Sequence, residues 1–104
     1  MVTHISSEQL RKLVNERKPA VVLFSGEWCG DCVAFKPLWT HWIKRHPGNV
    51  YQLELANRDA TWDAWEIDEI PTVVAFIGGV EKGRAQGIIL EKDLDSLEIL
   101  LKSA

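Results

Sequence analysis

The chain has 104 residues, enough for one domain over 1–104 with a single core that needs no disulfide or metal staples. Apolar residues make up 46% and charged residues 26%, the proportions of a water-soluble globular chain, and a net charge of −3 without a basic stripe argues against nucleic acid or anionic lipid as partner. No apolar run approaches the ~20 residues of a membrane span, and the opening MVTHISSEQLRKLVNERK lacks the pattern of a secretory leader, so a cytoplasmic protein is expected.

In chain order, Val2 to Ile5 is a candidate short strand. Ser6 with Gln9 three residues on forms a capping box, and Ile5 and Leu10 stand where a hydrophobic staple would close. Leu10, Leu13 and Val14 then give one apolar helical face that ends near Lys18-Pro19. Ala20 to Phe24 is a continuous apolar run, as a strand covered on both faces requires. Phe35, Leu38, Trp39, Trp42 and Ile43 follow the spacing of a helix stripe, with Pro37 placed to kink it. Tyr51, Leu53 and Leu55 alternate with polar residues as a strand does, and a less regular helix is expected from Asp59 to Ile67. Thr72 to Ile77 is a second buried strand, and Gly78-Gly79 turns it into a partner from Val80 to Ala85. Leu90, Leu94, Leu97 and Leu101 mark a closing helix. Strands and helices alternating in this way predict an α/β fold, a central mixed sheet of four to five strands with helices on both faces.

Cys29 and Cys32, the only cysteines, fall just past a buried strand at the start of a helix. An i, i+3 spacing puts their Cβ atoms about 5–6 Å apart, close enough for a disulfide after a small adjustment. The first of the pair occupies the helix start, where unpaired N–H groups and the helix dipole favour a thiolate. Gly30 carries no side chain to block an approaching sulfur. Three other readings of the pair compete. Structural zinc needs four ligands, and of the histidines His41 lies nine residues beyond Cys32 on the same helix, about 13 Å along its axis, while His46 and His4 lie farther in sequence. Inert core thiols would not follow a Gly-Glu-Trp turn, and a structural disulfide would close too short a loop to constrain much.

Trp28-Cys29-Gly30-Asp31-Cys32, Pro37, Ile70-Pro71-Thr72, Gly79 and Gly87 occur in an order and at spacings that resemble the thioredoxin family over almost the whole chain. The resemblance implies a thiol–disulfide oxidoreductase that reduces protein disulfides. Cys29 would be the nucleophile that forms a mixed disulfide, and Cys32 the thiol that resolves it, the two ending as a redox disulfide. Trp28 would flank the pair. Pro71 would be cis and face the sulfurs, with Ile70, Pro71 and Thr72 binding an extended substrate segment. The resemblance further implies no bound cofactor or metal, electrons from a thioredoxin reductase fed by NADPH or ferredoxin, disulfide-containing protein substrates, and a monomer.

Three positions depart from the family pattern. Leu23 stands where the family usually buries the aspartate that takes the proton of the second cysteine, and Gln52 replaces the lysine that accompanies it. Losing both is coherent, because either charge buried alone is costly. Asp31 replaces a proline, resembling a Trp-Cys-Pro-Asp-Cys subgroup. Its carboxylate suits a first helical turn and would also tune the pair, by repelling a Cys29 thiolate and by accepting the Cys32 proton. These departures leave open a second reading, a redox-sensing or adaptor module whose cysteine pair switches a partner interface. Trp39 and Trp42 are expected in the core. Trp62 and Trp65 are either core or an apolar rim for substrate, and Glu66, Asp68 and Glu69 either a solvated face or, with Glu27 and Asp31, an acidic rim.

Overall fold

The computed structural model describes every residue except Met1, Pro47, Arg58 and Ala104, together with the side chain of Ser103. Its strands are β1 (Thr3–His4), β2 (Ala20–Ser25), β3 (Val50–Glu54), β4 (Thr72–Ile77) and β5 (Val80–Gln86), and its helices α1 (Ser7–Asn15), α2 (Gly30–Arg45), α3 (Thr61–Ala64) and α4 (Glu91–Ser103). The sheet runs β1-β3-β2-β4-β5, with β1, β3 and β2 parallel and β4 and β5 antiparallel to their neighbours.

Side chains alternate across a strand, so β2 feeds two cores. Val22 and Phe24 join Leu10 of α1, Trp65, Ile67 and Ile70 on one face. Val21 and Leu23 join Phe35, Trp39 and Trp42 of α2 and Leu94 and Leu97 of α4 on the other. Coverage on both sides is why Ala20 to Ser25 is buried throughout. Trp39 and Trp42 are thus core residues, as their spacing predicts.

The capping box forms: the Ser6 hydroxyl accepts from the Gln9 N–H (3.1 Å), and the Gln9 side chain accepts from the Ser6 N–H (2.7 Å). Ile5 packs against the cluster that contains Leu10. Several boundaries differ from the sequence reading for identifiable reasons. α1 stops at Asn15 because Arg17 turns into left-handed backbone (φ 59°) while Arg17 and Lys18 return N–H bonds to Val14 and Leu13. The helix expected over 59–67 shrinks to α3, since Asp59 accepts from the N–H groups of Ala56 (2.9 Å) and Thr61 (2.8 Å) and Glu66 takes φ 53°. Before α4 the core position falls to Ile89, and Leu90 is 49% exposed as its N–H bonds the Asp93 carboxylate.

Candidate active site

Cys29 is the N-cap of α2, and its sulfur accepts the N–H of Cys32 (3.1 Å). Its thiol points across to the loop before β4 and donates to the Ile70 carbonyl (3.6 Å), in the residue whose peptide bond to Pro71 is cis. Gly26 makes the fit possible. A Cβ there would sit 3.0 Å from the Trp28 indole nitrogen and 3.1 Å from the Ile70 side chain. Trp28 therefore folds over the turn and donates its N–H to the Leu55 carbonyl (3.3 Å) while half its surface stays exposed. At Gly30 an added Cβ would meet nothing within 4 Å, which leaves the approach to the pair open.

The two sulfurs, both unbonded thiols, occupy unlike environments. Burial pushes the Cys32 thiol up to about 11, reinforced by its hydrogen bond with Cys29 and opposed by hydrogen bonding from the Gly26 backbone and the Ser25 side chain. Behind Cys32, on the α2 face of the sheet, lies a cleft of about 450 Å³ whose lining includes Leu23, Ser25, Gln52 and Glu54. Leu23 and Gln52, the two positions that the resemblance marks as departures, both border this cleft.

A separate groove of about 270 Å³ reaches Cys29 and is lined by Trp28, Asn57, Trp62, Asp68, Glu69 and Ile70. Trp28 and Trp62 stack along it at 6.2 Å between centroids. The tryptophan pair left open by sequence therefore divides. Trp62 lines the groove, whereas Trp65 is buried, donates to the Ser7 hydroxyl (2.9 Å) and carries the Arg11 guanidinium over its ring. The acidic rim narrows in the same way: Asp68 and Glu69 reach the groove, and Glu27 borders the cleft instead. Asp31 lines neither hollow, is exposed, and among the described residues makes no side-chain hydrogen bond or ion pair.

Of the three residues expected to bind substrate, only Ile70 borders the groove; Pro71 and Thr72 are fully buried behind it. The Thr72 hydroxyl donates to the Glu69 carbonyl (2.6 Å), and the Pro71 carbonyl accepts the Gly87 N–H (3.0 Å). Gly87 adopts φ 76°, and a Cβ there would lie 3.1 Å from the Glu69 carboxylate. Arg84 on β5, a residue the sequence reading passed over, braces the same loop. Its guanidinium donates to the carbonyls of Trp65 (3.2 Å) and Glu66 (2.9 Å) and is held by both carboxylate oxygens of Glu81. Arg84→Ala is expected to destabilise the protein by about 1.5–3 kcal/mol, the worth of its charge-assisted hydrogen bonds to the loop. Urea unfolding should show it as a lower midpoint with an unchanged slope.

His41 and His4 are exposed, and among the described residues no three His, Cys, Asp or Glu side chains gather as a metal site would require.

A parallel trio of strands continued by an antiparallel hairpin, with a CxxC pair capping the helix after the central strand and a cis-proline loop opposite, defines a thioredoxin-fold domain with a dithiol site. The chain belongs to the thioredoxin family, whose model, described as Thioredoxin, matches residues 1–100. It is 33% identical over 93 residues to the mitochondrial thioredoxin of Mus musculus, covering 88% of this chain and 54% of that protein, so it spans about half the length of such relatives. With the thioredoxin of Mycoplasma genitalium it shares 34% identity over 93 residues, covering 86% of this chain and 89% of the relative. Among solved structures, reduced Schistosoma mansoni thioredoxin superposes with a TM-score of 0.79 at 22% identity, covering 94% and 96% of the two chains. Oxidised mitochondrial thioredoxin 3 of Saccharomyces cerevisiae gives 0.71 at 22% identity, covering 99% and 95%. These two likenesses speak to the fold.

Proposed function

We propose that the protein is a thiol–disulfide oxidoreductase that reduces disulfides in protein substrates through Cys29 and Cys32, working as one domain and as a monomer. The observation that carries this reading is the inequality of the two sulfurs: both are buried, but Cys29 receives a backbone N–H and borders the groove, while Cys32 lines the cleft behind with its proton held to about pH 11. A donated N–H stabilises negative charge on sulfur, so Cys29 attacks the substrate disulfide and becomes joined to one of its sulfurs. Cys32 then attacks Cys29, the pair closes into a disulfide, and the substrate leaves reduced. Substrate backbone lies along Ile70, flanked by Trp28. Electrons return from a reductase fed by NADPH or ferredoxin, and the domain holds no cofactor. Two cysteines poised to cycle suit a reducing compartment, for which we assign the cytoplasm. No helix among the described residues is long and apolar enough to cross a membrane. Asp31, in the Trp-Cys-Gly-Asp-Cys segment, acts as a charge on the first turn of α2 that tempers the Cys29 thiolate.

The test is reduction of insulin or a small disulfide in the presence of NADPH and a recycling reductase. Sustained turnover is expected. A pair that is oxidised and reduced by dithiols yet supports no turnover would instead favour the redox-sensing adaptor.

Asp68 and Glu69 at the groove make a further expectation specific. A unit charge about 6 Å from a carboxylate in water is worth about 0.7 kcal/mol, roughly threefold in rate. Disulfide peptides with a lysine or arginine beside the cysteine should be reduced faster at low salt by about that factor per carboxylate engaged. The advantage should shrink as salt rises and screening tightens below ~8 Å. Peptides with an acidic neighbour should respond in the opposite sense. An equal salt response from both kinds of peptide would make these carboxylates bystanders.

A further inference from the structure

If Cys32 is the resolving thiol, as proposed above, its proton must leave, and neither Leu23 nor Gln52 can accept it. The sheet register supplies a different route. Ser25 is paired with Glu54 across β2 and β3, and His4 is paired with Gln52 across β1 and β3, so all four side chains share the α2 face. Ser25 is 8% exposed and lines, together with Cys32, the cleft on that face. Glu54 is exposed and lines the same cleft, where the Gln52 amide reaches its carboxylate (3.5 Å). A cleft of about 450 Å³ with Ser25, Gln52 and Glu54 among its lining has room for water, each molecule of which occupies about 30 Å³ of liquid.

We infer that Ser25 and Glu54 carry the proton away from Cys32, the Ser25 hydroxyl passing it through water in the cleft to the Glu54 carboxylate. In the step itself Cys32 Sγ attacks Cys29 Sγ. The Cys29–Cys32 bond forms, the Cys29–substrate bond breaks, and the substrate sulfur departs with the electron pair as a thiolate. The Cys32 proton passes to Glu54 and from there to bulk water or to the departing thiolate. The other charged groups facing this cleft are His4 from β1, Lys36 from α2 and Glu27 from the turn after β2. Among the cleft's carboxylates, Glu54 is the one in register with Ser25, whereas Glu27 sits on the turn and Asp31 is outside the cleft.

The route has a kinetic signature. A thiol that must ionise beforehand, with its proton held to about pH 11, reacts tenfold faster for each unit that the pH rises toward that value. A thiol whose proton is taken by a positioned base during attack reacts at a rate nearly independent of pH across the neutral range, and such a base is worth about 10²–10⁴-fold. Reduced protein mixed with an aromatic disulfide that releases a coloured thiolate reports both attacks in stopped flow, Cys29 in the first phase and Cys32 in the second.

For the unmodified chain we expect a second phase that is flat from pH 6 to 8, a range of ~2 units chosen to lie between carboxylate and thiol titrations. In Glu54→Gln it should be slower by about 10²-fold near neutrality and climb about tenfold per pH unit, with the first phase unchanged. Ser25→Ala should slow the same phase while leaving the pH slope of the first. Loss of the first phase in the unmodified chain would instead defeat the assignment of Cys29 as nucleophile. A normal first phase with a second phase insensitive to both substitutions would overturn the proton route alone. So would a steepened slope in Asp31→Asn or Glu27→Gln with none in Glu54→Gln.

Discussion

A Cys32→Ser variant should accumulate disulfide-linked complexes with its substrates, whereas Cys29→Ser should yield essentially none and lose turnover by on the order of 10³-fold or more, as removal of a nucleophile does elsewhere. The reason is the unequal setting of the sulfurs. Only Cys29 borders the groove and receives the Cys32 N–H, which is why Cys29 is the sulfur proposed to start the exchange. Serine at position 32 fits the same buried site but cannot displace a sulfur, and the first covalent product then has no internal exit. The measurement is non-reducing electrophoresis after exposure to a disulfide-containing protein, with reductant collapsing the complexes. Equal trapping by both variants would sink the assignment of roles.

The largest effect on stability is expected at Trp42. It is 1% exposed, its indole N–H donates to the Asp95 carboxylate (3.0 Å), and its ring packs against Trp39 at 5.9 Å and His46 at 4.4 Å. Trp42 thus ties α2 to α4 on one face of the sheet. Trp42→Ala removes a whole buried ring and should cost about 3–5 kcal/mol. Against the 5–15 kcal/mol typical of a domain, that lowers the melting temperature by at least about 12 °C at roughly 4 °C per kcal/mol. Trp42→Phe keeps most of the ring and loses the N–H bond, so it should cost less than half as much. A melting temperature within a few degrees of the unmodified chain for Trp42→Ala would show that the α2–α4 face can close without this ring.

The parts of the fold legible in the sequence were those written in local pattern. The capping box at Ser6 and Gln9, the continuous apolar run of β2, the Gly78-Gly79 hairpin and the CxxC pair each need only neighbouring residues to be read. What stayed hidden depends on contacts distant in sequence. Trp62 and Trp65 have the same composition and nearly the same position, and only the closing of α3 sends one to the groove and the other to the core. Leu90 fits the helical spacing of Leu94 and Leu97, but the Asp93 cap starts α4 after it and leaves the buried place to Ile89. Thr72, which the resemblance offers as a substrate contact, turns its hydroxyl to the Glu69 carbonyl, a bond that no local pattern announces. Arg84 carried no signal at all, since its role rests on two carbonyls of a loop that precedes it by eighteen and nineteen residues. Ser25 and Glu54 lie far apart in sequence, and only the pairing of β2 with β3 makes them neighbours.

The two hollows open on opposite sides of the cysteine pair, one toward Trp28 and Ile70, the other beneath α2 at the β1–β3 edge. In the proposed reaction, a folded substrate joined to Cys29 would sit over the first like a lid and keep solvent from the sulfur–sulfur bond. The second is then a back door. The chemistry can exchange its proton with the surroundings while the front is still shut, so letting go of a bulky partner need not wait for that partner to shift. By the same token, anything lodged at the back door would stall the proposed exchange halfway, with the substrate still attached.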